Sequence, residues 1–287
     1  MASEQERLVR WFYRQNWAAG EIRFEDQLLQ GCTQALAKTA EQAERYVFAN
    51  KRRIWNALQK QKELDVERGR RPMFHITDRN GLKAVWAPRR SNKTNVASVL
   101  RSDALWSARP KILRKIDMIS DRHYEALGCL VSELAGADKI LLTPPGNEGG
   151  IDFICRISVP ARTHIFGGTG APIRIVGQCK KYKSRVGVEK IRDFAKTIDD
   201  VRHRAYHLEN VVPHWFRGEK GPVIGWMIGH SGFQSGSVTI ANNQGILLSD
   251  SVDLAEVIAK SRNFHEALLP DDRANKLIES IGYYLHE

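Results

Sequence analysis

Two short stretches of this 287-residue chain carry side chains whose types and spacing could do chemistry. The first is Gly149-Gly150-Ile151-Asp152, an acid set directly after a glycine turn and followed by the apolar pair Phe153-Ile154. The second is Ile175-Val176-Gly177-Gln178-Cys179-Lys180, an apolar run that ends in Gln-x-Lys. Side chains alternate across a strand, so Gln178 and Lys180 share one face while Cys179 takes the other as a small core residue. If the two stretches are neighbouring strands, Asp152, Gln178 and Lys180 converge at one edge of a sheet. A carboxylate beside a side-chain carbonyl suits Mg²⁺, which prefers oxygen ligands and keeps several of its waters. Such an ion orients an attacking water and neutralises charge on a phosphodiester in transition. A lysine there positions the nucleophile or stabilises the developing charge. The bland reading stays open for each residue: an aspartate commonly starts a strand after a turn, and a polar pair can simply end one in solvent.

Other chemistries have weaker claims. The nine histidines form no HExxH or His-x-His pair, and the four cysteines (Cys32, Cys129, Cys155, Cys179) form no CxxC or CxxH, so neither zinc nor a disulfide framework is expected. Gly167-Gly168-Thr169-Gly170 lacks the Gly-Lys-Ser/Thr ending of a phosphate-binding loop and reads as a turn. No apolar run reaches the ~18 residues of a membrane span. The opening MASEQERLVRWFYRQ has no apolar signal core. The expectation is a cytoplasmic protein without a membrane partner.

The elements that must position these residues lie in the second half. Asp121 to Leu134 is an amphipathic helix, Lys139 to Thr143 a strand, and Ile151 to Val159 and Ile173 to Gln178 the two strands of the candidate site. Val188 to Val201 is a helix, Val223 to Ile228 and Gly245 to Leu248 are strands, and Asp253 to Lys260 is a helix. Strands interspersed with helices predict an α/β fold: a mixed sheet flanked by helices on both faces.

The arrangement resembles the PD-(D/E)xK nuclease superfamily, and most closely the Mrr-like restriction endonuclease catalytic domain. The resemblance covers roughly residues 121–260. It rests on the helix pair Tyr124-Glu125, the turn Gly149 to Asp152, the strand end Gln178-Cys179-Lys180 and the basic follow-on Lys181-Tyr182-Lys183. What it implies is a metal-dependent site of Glu125, Asp152, Gln178 and Lys180, with Mg²⁺ held by Glu125, Asp152, Gln178 and the Cys179 backbone carbonyl, and Mn²⁺ as a substitute. Glu133 competes with Glu125 for the helix role. The chain departs from the family at Glu148, where an Asp is usual, in the longer Pro160 to Pro172 connection, and in the Gly-rich Gly229-His230-Ser231-Gly232-Phe233 after Ile228. The implied activity is hydrolysis of DNA phosphodiesters in restriction or anti-phage defence, with double-strand cleavage requiring a homodimer or two binding events. A DNA-binding subunit of a larger defence or repair complex, and a structure-specific or RNA-directed nuclease, remain alternatives.

The first half differs in charge and pattern. Residues 1–115 hold 24 Lys+Arg against 12 Asp+Glu, whereas residues 116–287 hold 20 against 21. That asymmetry points to an acidic partner for a domain spanning 1–115, and DNA is the expected one. Its first ~70 residues read as helical. One face (Leu28, Leu29, Cys32, Leu36, Ala40) and a further helix from Arg53 to Val66 precede MFHIT and LKAVW, two strands flanking the hairpin signal Asp78-Arg79-Asn80-Gly81. Helices followed by a basic hairpin suit either a winged-helix-like DNA reader or a helical domain with a surface hairpin. The expected phosphate contacts are Arg52, Arg53, Arg70 and Arg71 here, and Lys181, Lys183 and Arg185 beside the candidate site in the domain 116–287. Trp11, Trp17 and Trp86 are the tryptophans placed to stack on bases.

Overall fold

The computed structural model describes residues 2–17, 20–70, 73–79, 81–86, 108–146, 149–158, 171–261 and 270–285. Arg71, Asn80, Glu148, residues 160–170 and the side chain of Trp86 lie outside the described residues. The chain divides into two units, Met1–Arg114 and Lys115–Glu287.

The first unit runs α1 (Glu4–Tyr13), β1 (Ile22–Arg23), α2 (Phe24–Leu36), α3 (Ala40–Glu67), β2 (His75–Arg79) and β3 (Leu82–Trp86). Capping decides the helix boundaries. Ser3 and Glu6 close a capping box on α1, and Thr39 and Gln42 close another on α3. Ala37 ends α2 in the left-handed region at φ 55°. The sequence reading ran one helical face through to Ala40 and began a separate helix at Arg53. The chain instead breaks at Ala37 and then continues unbroken from Ala40 to Glu67, since no glycine or proline interrupts that stretch.

Burial corrects two expectations for this unit. Trp11 is 7% exposed and donates Nε1–H to Gln34 at 3.0 Å, while Trp17 stacks on Phe12 with ring centroids 5.3 Å apart. Trp11 is committed to the core beside Phe12, while Trp17 is half-buried, packs on Phe12 and Phe74 and donates Nε1–H to the Phe12 carbonyl at 3.1 Å. Arg70 is also inside, 6% exposed, donating to Asp65 Oδ1 at 3.2 Å. A buried guanidinium committed to a carboxylate does not reach a phosphate.

A helix over residues 108–118 (α4) contains the boundary between the units. The second unit then runs α5 (Asp121–Leu134), β4 (Lys139–Leu142), β5 (Phe153–Ile157), β6 (Ile173–Lys180), α6 (Val188–Arg202), a 3₁₀ turn (Tyr206–Leu208), α7 (His214–Gly218), β7 (Val223–Gly229), α8 (Ser235–Asn243), β8 (Leu247–Asp250), α9 (Ser251–Lys260) and α10 (Pro270–Tyr283). Its sheet is ordered β4-β5-β6-β7-β8. The first two pairings are antiparallel and the last two parallel, which makes the sheet mixed, as the sequence predicts. α5 and α9 pack together over one face and α6 and α8 over the other. On the α6 side Ile154, Val176 and Met227 meet Ile191, Phe194 and Ile198. On the α5 side the Phe153 ring fills the space between helix and sheet. A Cβ at Gly128 would fall 2.6 Å from that ring and one at Gly177 2.1 Å, so two glycines set how closely α5 approaches β6. Among the described residues no helix is long and apolar enough to cross a membrane.

Candidate active site

The turn before Asp152 is made by glycine. Gly149 and Gly150 sit at φ 56° and 84°, where a side chain is strained, and a Cβ at Gly150 would fall 3.2 Å from both Gln178 Nε2 and Thr197 Oγ1. The turn is held from α6, where Thr197 Oγ1 donates to the Gly149 carbonyl at 3.2 Å. Beyond it Asp152 N–H donates to the Gly177 carbonyl at 2.9 Å. The β5–β6 register pairs Phe153 with Gly177, and its continuation sets Asp152 opposite Gln178 on one face.

Asp152 and Gln178 are each fixed by a specific bond. Asp152 Oδ2 accepts the Cys179 N–H at 2.5 Å, a charge-assisted bond to the strand that carries Gln-x-Lys. Gln178, 7% exposed, donates Nε2–H to the Gly150 carbonyl at 2.6 Å, which orients its amide oxygen the other way. Cys179 lies on the opposite face. Burial pushes its thiol well above the ordinary range, the charges of Asp152 and Glu125 add to that, and Lys180 opposes it. One buried sulfur therefore lies within electrostatic reach of Asp152, Glu125 and Lys180 together. The same protonation makes the thiol an unsuitable metal ligand.

Glu125 stands one turn before Gly128 on α5. Arg122 Nη1 donates to Glu125 Oε2 at 2.7 Å and its Nη2 to the Thr143 carbonyl at 2.6 Å. The Thr143 hydroxyl sits 2.7 Å from the Ile151 carbonyl and 2.9 Å from that of Asp152. Arg122 thus links the helix acid to the backbone that carries the strand acid. Glu133 is engaged elsewhere, accepting from the Tyr284 hydroxyl.

Lys180 ends β6. Its carbonyl accepts the His230 N–H at 2.9 Å, and His230 Nε2 lies 2.9 Å from Asp117 Oδ1. Among the described residues the Lys180 ammonium has no hydrogen-bond or ion-pair partner. Lys181 is different from the sequence expectation. Its ammonium donates to the carbonyls of Asp117 and Ile119, which makes it a tie between the end of β6 and the end of α4 rather than a phosphate contact. Lys183 and Arg185 are exposed. Three residues that the sequence reading passed over belong to this neighbourhood. Arg122 had a signal in its i,i+3 spacing to Glu125. Thr143 and His230 had none, because their roles depend on contacts across the fold.

Among the described residues no group of three or more His, Cys, Asp and Glu could hold a metal ion. The donors on hand are two carboxylates, one amide oxygen and main-chain carbonyls. That set is all hard oxygen, and it fits Mg²⁺ or Mn²⁺ rather than a thiolate- or imidazole-binding ion.

Residues 116–258 match the family model Mrr_cat, described as restriction endonuclease. Residues 116–258 are an Mrr-like restriction endonuclease domain. No curated protein matches the chain. Three solved structures are similar to it. One is MspJI restriction endonuclease in complex with a 27-mer oligonucleotide, 17% identical with a TM-score of 0.40 over 70% of this chain and 39% of that one. Another is the DNA modification-dependent restriction endonuclease AspBHI, 15% identical at 0.36 over 71% and 46%. The third is restriction endonuclease FokI, 10% identical at 0.37 over 94% and 45%. The chain spans less than half the length of each of these proteins. In the Mrr-like domain the candidate residues Asp152, Gln178 and Lys180 lie where β5 begins and β6 ends, with Glu125 on α5.

Proposed function

We propose that the chain is a Mg²⁺-dependent DNA endonuclease that hydrolyses phosphodiester bonds in restriction or anti-phage defence. The observation that carries this reading is the joint placement of Asp152, Gln178, Glu125 and Lys180 around the start of β5 and the end of β6 in an Mrr-like domain. Asp152, Glu125, the Gln178 amide oxygen and the Cys179 carbonyl would hold the ion. When bound, Mg²⁺ supplies an oriented water and screens phosphate charge. The protein's own part is positional and electrostatic. Lys183 and Arg185 bind backbone phosphates beside the scissile bond, and Arg53 of the first unit makes a phosphate contact of its own. Lys180 places a positive charge against the phosphoryl oxygens as the water oxygen bonds to phosphorus and the ester oxygen departs with a proton. Arg122 holds Glu125, and the Cys179 N–H holds Asp152, so neither acid has to reorganise during the reaction. One such site cuts one strand, which makes a homodimer or two successive bindings the expected route to a double-strand break. The expected setting is cytoplasmic, with further defence-system subunits as partners.

The test is incubation of the full chain with supercoiled plasmid, with and without Mg²⁺ or Mn²⁺, beside Asp152→Ala and Lys180→Ala. Metal-dependent nicking or linearisation that both variants lose, with duplex still bound, is the expected result. Cutting retained by Asp152→Ala overturns the site.

A further inference from the structure

The first unit presents a surface that this site does not use. Its elements run α1-β1-α2-α3-β2-β3, and its sheet is ordered β1-β3-β2 with both pairings antiparallel. Between α2 and α3 lies a short turn, in which left-handed Ala37 reverses the chain and Thr39 caps the second helix. Two helices joined by a short turn share the connectivity of a helix-turn-helix, the unit that sets its second helix into a DNA major groove. The β2–β3 hairpin follows it as a wing.

The two faces of α3 differ sharply. Ala43, Val47, Ile54 and Leu58 are buried in the core of the unit. On the opposite face, at helical spacing, Arg45, Phe48, Ala49, Arg52 and Asn56 are all exposed, Phe48 by 86%. A phenyl ring left in water between two arginines contributes nothing to packing within the unit. Among the described residues Arg52 and Asn56 have no hydrogen-bond or ion-pair partner. Arg45 pairs only with the equally exposed Glu41 in its own helix, an arrangement worth little in solvent.

We infer that α3 is a recognition helix that lies in the major groove of duplex DNA and reads base edges with Phe48, Arg52 and Asn56. This deepens the endonuclease reading and rests on its assignment of DNA as the partner. The side chains match what a major groove displays. A guanidinium donates to O6 and N7 of guanine, a carboxamide bonds N6 and N7 of adenine, and an apolar side chain contacts a pyrimidine C5-methyl group. Lys51 and Arg53 flank this face at its edges, where phosphates run. A groove of about 820 Å³ separates α3 from the hairpin, and Arg23, Arg52, Arg79 and Lys83 stand on its walls. Glu21, Glu25 and Asp78 line it too and pair with Arg79, Lys51 and Lys83, so among the described residues Arg23 and Arg52 are the cations on its walls outside those pairs.

The experiment is selection by the full chain, without divalent metal, from a random-sequence duplex library. Wild type is expected to enrich a motif. Phe48→Ala, Arg52→Gln and Asn56→Ala should each lose preference, about tenfold or more, at a different position of that motif. Bulk duplex affinity should change less than about threefold. Because the three side chains are exposed, the thermal midpoint should not move. Uracil in place of a contacted thymine should weaken wild type and leave Phe48→Ala unaffected. No motif, a motif unchanged in all three variants, or equal enrichment of single strands overturns the inference. If plasmid cutting is absent yet the α3 variants erase a motif, the nuclease reading falls and the recognition helix stands. Cutting with a motif indifferent to α3 overturns the recognition helix alone.

Discussion

Arg122 shows how one side chain can tie two acids of the candidate site together. Its fork spans Glu125 and the Thr143 carbonyl, and Thr143 is in turn bonded to the Asp152 backbone, so the separation of the two acids is set by hydrogen bonds rather than by α5 alone. Arg122→Met keeps the apolar stem and removes both bonds. It should raise the Mg²⁺ concentration for half-maximal cleavage, or lower the rate, by about 10- to 100-fold, as loss of a bond behind a ligand does. The pair is partly exposed, so stability should fall by no more than about 1 kcal/mol. A titration of rate against Mg²⁺ beside a thermal melt separates the two effects, and an unchanged metal requirement would contradict this role. The thiols give a second readout. All four cysteines are buried thiols outside any disulfide, and burial pushes those of Cys32 and Cys155 up to about 11. Raised values leave almost no thiolate at pH 8, so a disulfide reagent should label the native chain slowly and all four sites only after unfolding. At this scale the placement of Asp152 opposite Gln178 was legible because strand alternation is a strict period of two. Arg70 was not, since nothing in Arg68-Gly69-Arg70 announces that Asp65 draws the last of these inside. The choice between Glu125 and Glu133 also needed Tyr284, which lies far along the chain.

At the scale of elements, the same contrast separates strands from helix breaks. The apolar runs that end at polar or glycine positions foretold β4 to β8 to within a few residues, because a buried strand must be apolar along its length. The α2–α3 break was misplaced because Leu36 and Ala40 continue a helical face that the backbone does not follow. The Thr39-x-x-Gln42 capping box was the signal that marks the true start. Glycine has a different part in the sheet. Gly177 sits in β6 where β-propensity disfavours it, and the reason is the Phe153 ring lying across it from β5, with Gly128 of α5 against the same ring. Gly177→Ala brings a methyl to 2.1 Å from that ring, so something must move. The expected cost is about 1–3 kcal/mol, with cleavage falling further because Gln178 is the next residue. Phe153→Leu should restore part of the lost stability when combined with Gly177→Ala, although alone it leaves a void. A non-additive double-mutant cycle in chemical denaturation is the expected outcome, and strict additivity would show that the ring is not what the glycine accommodates.

Over the whole molecule, charge is distributed by task. The excess of basic residues lies in the first half, and the half with the Mrr-like domain is nearly neutral. Net charge does not say which cations meet a phosphate, and the structure sorts them. Among the described residues Arg53 is exposed and bonded only to the neutral Gln5, and Lys183 is exposed beside the candidate site. Arg70 and Lys181 are spent on a carboxylate and on main-chain carbonyls. Counterion release turns this sorting into a measurement, since each phosphate neutralised contributes about 0.9 to the slope of log affinity against log salt. Arg53→Ala and Lys183→Ala should each reduce the slope by about that amount and leave the thermal midpoint in place. Arg70→Ala should behave in the opposite way. Asp65 is 1% exposed, is held also by Tyr13 and Gln61, and is pushed above the ordinary carboxylate range by burial, which those partners only partly offset. Removing the guanidinium leaves that carboxyl uncompensated, at a cost of about 3–5 kcal/mol. In the chain that remains folded the salt slope should equal that of wild type. A slope lowered by Arg70→Ala at temperatures where the variant is fully folded would place this arginine on DNA and refute its assignment to the core.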